Sequence, residues 1–264
     1  MVPDELVRAL TELAGRERVL VGLDFDGVLA PIVADRDAAR ALPGSMAAVE
    51  ALAALPLTSV VLVSGRALDS LAAVSGIEPD ATTAPIGLVG SHGAETSLRP
   101  RSGGRPAPAG LPDEEAQRLA AVTEALRDIA RADAALDVEV KPTGAVLHTR
   151  QATPEVASAA EAQALAGPGS WPGVHAIRGK SVVELAVVET SKGIALQRLR
   201  AELGVDAVLY VGDDVTDETA FAVLGATDVG VKVGTEPSRA AYRVDGPEDV
   251  RTLLQRLVAE RSQR

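Results

Sequence analysis

The sequence contains no cysteine. Disulfides, thiolate metal sites and a thiol nucleophile are therefore excluded. Aromatic residues are only 2% of the chain, so any core must be packed from Ala, Val and Leu. No apolar run has the length that a membrane-crossing helix needs. Met1 to Arg18 alternates charged and apolar residues and lacks the apolar stretch of a secretory signal. Positive charge is scarce: 26 Lys and Arg face 37 Asp and Glu, a net charge of −11. Lysine occurs only at Lys141, Lys180, Lys192 and Lys232. Such an acidic balance argues against a nucleic-acid or anionic-membrane surface, although a local pocket can still hold an anion. The expectation is a soluble, cytoplasmic monomer with no nucleic-acid or membrane partner.

What is present is a patterned chain of 264 residues, enough for one large domain or two small ones. Leu6, Leu10 and Leu13 mark an amphipathic helix over residues 4–16. Purely apolar runs at Val19–Leu23, Ser59–Val63, Ile86–Val89 and Ala207–Val211 suit strands buried on both faces of a parallel sheet. Helices are expected over 45–55, 67–74, 190–203, 218–224 and 250–261, with a short strand over 228–233. Between these βα units the texture changes. Arg99 to Pro112 is rich in Pro, Gly and Arg and reads as a loop or linker, followed by a long helix over 113–132. Two hairpins, 136–149 about Pro142-Thr143-Gly144 and 174–188 about Gly179-Lys180, flank a helix over 154–165; the first is expected to alternate as half-exposed antiparallel strands do. The fold class is thus α/β: a doubly wound, Rossmann-like parallel-sheet core over 1–105 and 187–264, with an inserted α+β cap domain over 106–186.

Three of the apolar runs end in polar residues: Asp24 and Asp26, Ser64 and Arg66, Asp213 and Asp214. Parallel strands would place these ends at one edge, where open α/β sheets bind ligands. Asp24-Phe25-Asp26-Gly27 alone reads equally as an Asp-Gly turn or as a site. Gly212-Asp213-Asp214-Val215-Thr216-Asp217-Glu218 carries four carboxylates in seven residues. The helix dipole accounts for Asp217 and Glu218 in a first turn, but not for Asp213 and Asp214 at a strand end. Oxygen-rich acidic sites select hard cations, and Mg²⁺ usually takes one or two carboxylates plus substrate phosphate. Ser64 fits a helix N-cap or a phosphate site equally. Lys192, in the first turn of a helix capped by Thr190 or Ser191, is disfavoured by the dipole. The carboxylate cluster or a bound phosphate would offset that cost; a solvated lysine is the plain alternative. Together these parts suit phosphoryl transfer, with a carboxylate nucleophile, a cation, a lysine, a hydroxyl and a second carboxylate for proton traffic.

In order, Asp24-Phe25-Asp26-Gly27, Ser64-Gly65-Arg66, Lys192 and Gly212-Asp213-Asp214 resemble the four motifs of haloacid-dehalogenase-type phosphatases. With Val28 to Ile32, Gly90-Ser91-His92-Gly93-Ala94-Glu95, Lys192-Gly193 and Gly212 to Glu218, the resemblance narrows to the trehalose-6-phosphate phosphatase family. It implies hydrolysis of a small sugar phosphate through an aspartyl-phosphate. Asp24 would be the nucleophile, and Asp26 the general acid and base that also gives its main-chain carbonyl to Mg²⁺. Asp213 would ligate the metal with Asp214 or Asp217 in support, while Ser64, Gly65 and Lys192 bind phosphate. Arg66, His92, Lys141, His148, Arg150, Lys180 and Glu184 would contact substrate, those from Lys141 onward gripping the sugar. One departure stands out: many members carry Arg-Pro after the cap glutamate and its neighbour, where this chain has Ala186-Val187. The alternatives are a phosphatase for another sugar phosphate (of sucrose, a glycosyl-glycerol or a pseudo-disaccharide) and a phosphoacceptor signalling module. The length, the insert and the late acidic motif weigh against the last.

Overall fold

The computed structural model describes residues 2–78, 86–98, 111 and 113–263. Most of the loop expected over 99–112 lies outside them. In chain order the elements are α1 (Asp4–Ala14), β1 (Val19–Leu23), α2 (Ser45–Ala53), β2 (Thr58–Val63), α3 (Leu68–Ser75), β3 (Ile86–Gly90), β4 (Glu95–Thr96), α4 (Asp113–Ala130), β5 (Asp137–Lys141), β6 (Gly144–His148), α5 (Pro154–Ala166), β7 (His175–Gly179), β8 (Val182–Ala186), α6 (Lys192–Leu203), β9 (Ala207–Gly212), α7 (Glu218–Phe221), β10 (Val229–Val233), β11 (Tyr242–Val244) and α8 (Pro247–Arg261). The chain divides into two compact units: Met1–Pro106 with Ser191–Arg264, and Ala107–Thr190. The second crossing thus falls after Thr190 rather than after residue 186.

In the first unit a seven-stranded sheet runs β11-β10-β9-β1-β2-β3-β4. It is parallel except for the short β4, which pairs antiparallel with β3. Strands β1, β3 and β9 read as unbroken apolar runs because both faces are covered. On one face Val19, Val21, Leu23, Leu62 and Leu209 pack with Leu6 and Leu10 of α1, Leu52 of α2 and Leu253 and Leu257 of α8. On the other, Leu20, Val61, Val208 and Tyr210 pack with Leu196 and Leu199 of α6 and Phe221 of α7. The chain leaves β1 toward β2 on one side and returns at β9 on the other. This reversal makes a crevice at the carboxyl ends of β1 and β9, where such sheets bind ligands.

The second unit is an antiparallel sheet, β5-β6-β8-β7. One face carries Ala145, Leu147, Val183 and Leu185 against Val122 and Leu126 of α4 and Ala160 and Ala164 of α5. The alternation expected for β6 is not found: Gly144 to Leu147 are all buried. It is an interior strand, paired on both edges with β5 and β8. Gly144 belongs to β6 rather than to the turn. Strands β4 and β11 were not expected; at two and three residues they are too short to show a period. The helix expected over 218–224 ends at Phe221 and is preceded by a 3-10 turn, Val215–Asp217.

Gly22 pairs with Tyr210 across β1 and β9, and a Cβ on Gly22 would lie 2.9 Å from the Tyr210 ring. Gly22→Ala should therefore destabilise the chain by about 1–3 kcal/mol through overpacking, read as a lower urea midpoint with unchanged slope. An unchanged midpoint would show that the ring has room to move.

Candidate active site

Asp24 follows β1 directly, and its N–H still bonds to the Val211 carbonyl of β9, 3.0 Å. Its Oδ1 accepts the Phe25 N–H at 2.6 Å and its Oδ2 the Lys192 Nζ at 2.5 Å. Phe25 is buried and anchors the loop: its carbonyl accepts the Leu29 and Ala30 N–H groups, both at 2.9 Å. Gly27, at φ 77°, makes the turn possible. It also has no side chain because the Asp213 carboxylate sits where its Cβ would be.

Lys192 is the first residue of α6, which Ser191 caps through its Oγ on the Ile194 N–H, 3.1 Å. The lysine is 1% exposed and lies between Asp24 and Asp217, the latter at 2.7 Å. The anionic partner that its place in the first turn called for is thus the carboxylate cluster. Burial alone would lower its pKa; the charges of Asp217 and Asp24 override that and raise it. Asp217 is fully buried, with Lys192 and the Tyr210 hydroxyl on Oδ1 and the Asp213 and Asp214 N–H groups on Oδ2, all at 2.7–3.0 Å. Its carboxylate fills the space beside Gly212, where a Cβ would collide with it.

Among the described residues, Asp24, Asp213 and Asp217 bring carboxylate oxygens within 4.8 Å of one another. The Asp214 carboxylate is not in this group: it caps the 3-10 turn, accepting from the Thr216 N–H. The Asp26 carboxylate is also outside it. Both its oxygens are taken by Arg66, Nε–Oδ2 at 2.5 Å and Nη2–Oδ1 at 2.7 Å. Three carboxylates facing one ammonium leave two negative charges, which suits a single divalent cation. Burial, with Asp217 nearby, pushes Asp213 up to about 7. Burial likewise raises Asp24, against the pull of Lys192.

Ser64 does not cap α3. That helix starts at Leu68 with Ala67 at its cap position, and the Ser64 Oγ accepts the Arg66 N–H at 3.2 Å. Glu95 does the capping from outside, accepting the Leu68 N–H at 3.2 Å and the Ser91 hydroxyl at 2.5 Å. Sequence reasoning had no signal for this role, which joins residues 27 apart. Ser91 and His92 hold φ of 46° and 53°, an uncommon state for non-glycine residues that clusters at functional sites. Their N–H groups bond to the Arg66 and Ser64 carbonyls at 2.7 and 3.0 Å. His92 is thereby held over Gly65, whose Cβ would lie 2.5 Å from the imidazole.

In the second unit, the register puts Lys141, His148 and Glu184 on one face of the sheet. Lys141 bonds Glu184 at 2.7 Å, both buried. His148 Nε2 lies 3.0 Å from Glu139, which shares this face and which the sequence did not single out. Glu139 stands three residues before the Pro142 turn of its own hairpin, so only the pairing register reveals it. Arg150 and Lys180 lie on exposed turns beyond β6 and β7.

A parallel sheet with carboxylates and a lysine gathered at its switch point, interrupted by an α+β insert, is the arrangement of the haloacid-dehalogenase-like phosphatases. Residues 22–248 match the sequence profile of the trehalose-phosphatase family, and the chain belongs to that family. It is 31% identical to the trehalose-6-phosphate phosphatase of Escherichia coli, over 91% of this chain and 87% of that one. It is 34% identical to a bifunctional trehalose-6-phosphate synthase/phosphatase of Thermoproteus tenax, over 94% of this chain but 33% of that protein. It spans only a fifth of a similar, uncharacterised glycosyl hydrolase of Mycobacterium tuberculosis. In fold it is similar to the C-terminal domain of Candida albicans trehalose-6-phosphate phosphatase, with a TM-score of 0.80 at 20% identity over 96% of both chains. No helix among the described residues is long and apolar enough to cross a membrane.

The raised carboxylates make a pH prediction. A folded Asp213 that binds its proton near pH 7 holds it where the unfolded chain, at 3.8, does not. In chelator-treated protein, stability to urea should therefore rise as pH falls through about 7 toward about 5. Asp213→Asn should flatten that slope. Equal slopes in the two proteins would mean that Asp213 does not carry the effect.

Proposed function

We propose that this chain hydrolyses trehalose 6-phosphate to trehalose and phosphate, with Asp24 as the nucleophile. The observation that supports this most is the Asp24 carboxylate itself. It is 6% exposed, at the carboxyl end of a central strand, with Lys192 2.5 Å from one oxygen. Family membership and the Escherichia coli relative supply the substrate.

An Asp24 oxygen attacks phosphorus, the bond from phosphorus to the sugar oxygen breaks, and an aspartyl-phosphate forms. Asp26 gives its proton to the leaving sugar oxygen. It then takes one from the water that attacks phosphorus and frees Asp24. Lys192 opposes the effect of burial on Asp24 and so favours the ionised nucleophile. The Ser64 hydroxyl, the Gly65 N–H and Lys192 would hold the phosphate oxygens. Asp24, Asp213 and the Asp26 main-chain carbonyl would hold Mg²⁺. When bound, the cation would neutralise charge between these carboxylates and the phosphate. Asp217, with all its hydrogen bonds made inside the protein, would orient Lys192 and the Asp213 loop rather than lead the coordination.

The Arg66 fork adds a condition. A guanidinium engages both oxygens of Asp26, the atoms that must reach the leaving sugar oxygen. That fork has to loosen before Asp26 can turn to the substrate, and a dianionic phosphate is a natural competitor for Arg66. The α+β unit would grip the sugar through Lys141, His148, Arg150, Lys180 and Glu184, and His92 would contact substrate beside Gly65. Ala186-Val187, in place of the Arg-Pro common in the family, bears on which sugar fits rather than on the chemistry.

Phosphate release from a panel of sugar phosphates, with and without Mg²⁺, tests the assignment. Trehalose 6-phosphate should be hydrolysed best, only with the cation, and Asp24→Asn should reduce turnover to background. A sugar phosphate preferred by about ten-fold in kcat/KM would overturn the substrate. An active Asp24→Asn protein would overturn the nucleophile.

A further inference from the structure

Lys232 has no role in the chemistry above, yet it is a lysine buried to 2% exposure in the central sheet. It lies on β10 opposite Gly212, the last residue of β9, where the acidic loop begins. Its ammonium donates to two main-chain carbonyls, that of Asp213 and that of Val233, the latter at 2.7 Å. A buried cation is costly, and an apolar side chain of similar size would stabilise a strand at least as well. Packing therefore does not explain it; its target does.

The Asp213 residue is held on three sides. Its N–H is fixed by the Asp217 carboxylate at 2.9 Å, its carbonyl by Lys232, and its side chain lies against the Cα of Gly27. We infer that Lys232 is a positioning residue: by holding the Asp213 carbonyl, it sets the Asp213 carboxylate where a divalent cation is bound together with Asp24. The inference rests on the proposed reading of Asp213 as a cation ligand. The Lys232 charge also opposes the upward push on Asp213, but that influence alone has a different consequence. A positive charge beside the cluster repels a cation, so its removal would tighten binding. Loss of positioning would weaken it. The two roles predict opposite signs.

Mn²⁺ alone, added to the full chain at about pH 8 and followed by the electron paramagnetic resonance of the free ion, distinguishes them without turnover. Lys232→Met should weaken Mn²⁺ binding about ten-fold or more. Lys232→Gln, which keeps an amide donor and drops the charge, should fall between it and the wild type. Thermal melts accompany both; if the Met variant does not fold, the Gln variant carries the test. Binding equal to or tighter than wild type in the folded variants would overturn the inference. Asp213→Asn is measured alongside. If it binds Mn²⁺ like wild type, the reading of Asp213 as a ligand fails, and this inference with it. If it loses the ion while the Lys232 variants keep it, only the inference fails.

Discussion

The Lys192 ammonium, buried between two carboxylates, is the interaction on which the rest of the first unit depends. Each of these charges alone would be too costly to bury. Together they are held by hydrogen bonds of 2.5 and 2.7 Å to Asp24 and Asp217. The three residues come from α6, from the end of β1 and from the turn after β9, so the contact fastens three separate segments at the switch point of the sheet. It also settles a local conflict. A lysine in the first turn of a helix opposes the dipole, and two carboxylates reverse the sign of the field it meets.

From this pair follows a division of labour among the acids. Asp217 saturates its oxygens with a lysine, a tyrosine hydroxyl and two main-chain N–H groups, so it acts on the shape of the loop. Asp214 spends its carboxylate on a cap and Asp26 on Arg66. Asp24 and Asp213 are left as the acids that burial pushes upward, Asp24 against the pull of Lys192. Perturbation of this kind, in a crevice and with a stated cause, marks a functional site better than acid count does.

The sheet and its edge were legible in the sequence because they rest on local signals. Uninterrupted apolar runs such as Val19–Leu23 and Ala207–Val211 suit strands covered on both faces, and a run that stops at an acid announces the edge. Pairing across the fold was not legible. The Glu95 cap on α3, the Arg66 fork on Asp26 and the Lys232 hold on Asp213 join residues 27, 40 and 19 positions apart. Ser64 shows how a local rule misleads: its hydroxyl oxygen accepts the Arg66 N–H two residues on, before the helix begins. Strand β6 failed for a related reason, since which of its residues are buried depends on neighbours that only the tertiary fold supplies.

The second unit raises the question of why a small sheet keeps ions where apolar side chains would serve. Lys141 and Glu184 stand on the outer strand β5 and on β8, separated by β6. Gly144 lies directly opposite Lys141 and leaves the lysine a path across. A buried pair of this kind is weak ground for stability, because its desolvation can exceed its attraction. The opposite face, from Ala145 to Leu185, already supplies the core. Stability therefore does not require the ionic face, whereas sugar recognition in the proposed function would: fixed donors and acceptors reject partners that leave them unpaired. The pairs Lys141–Glu184 and His148–Glu139 hold such groups in place. In the proposed function, the ionic face would serve specificity and the acid cluster chemistry.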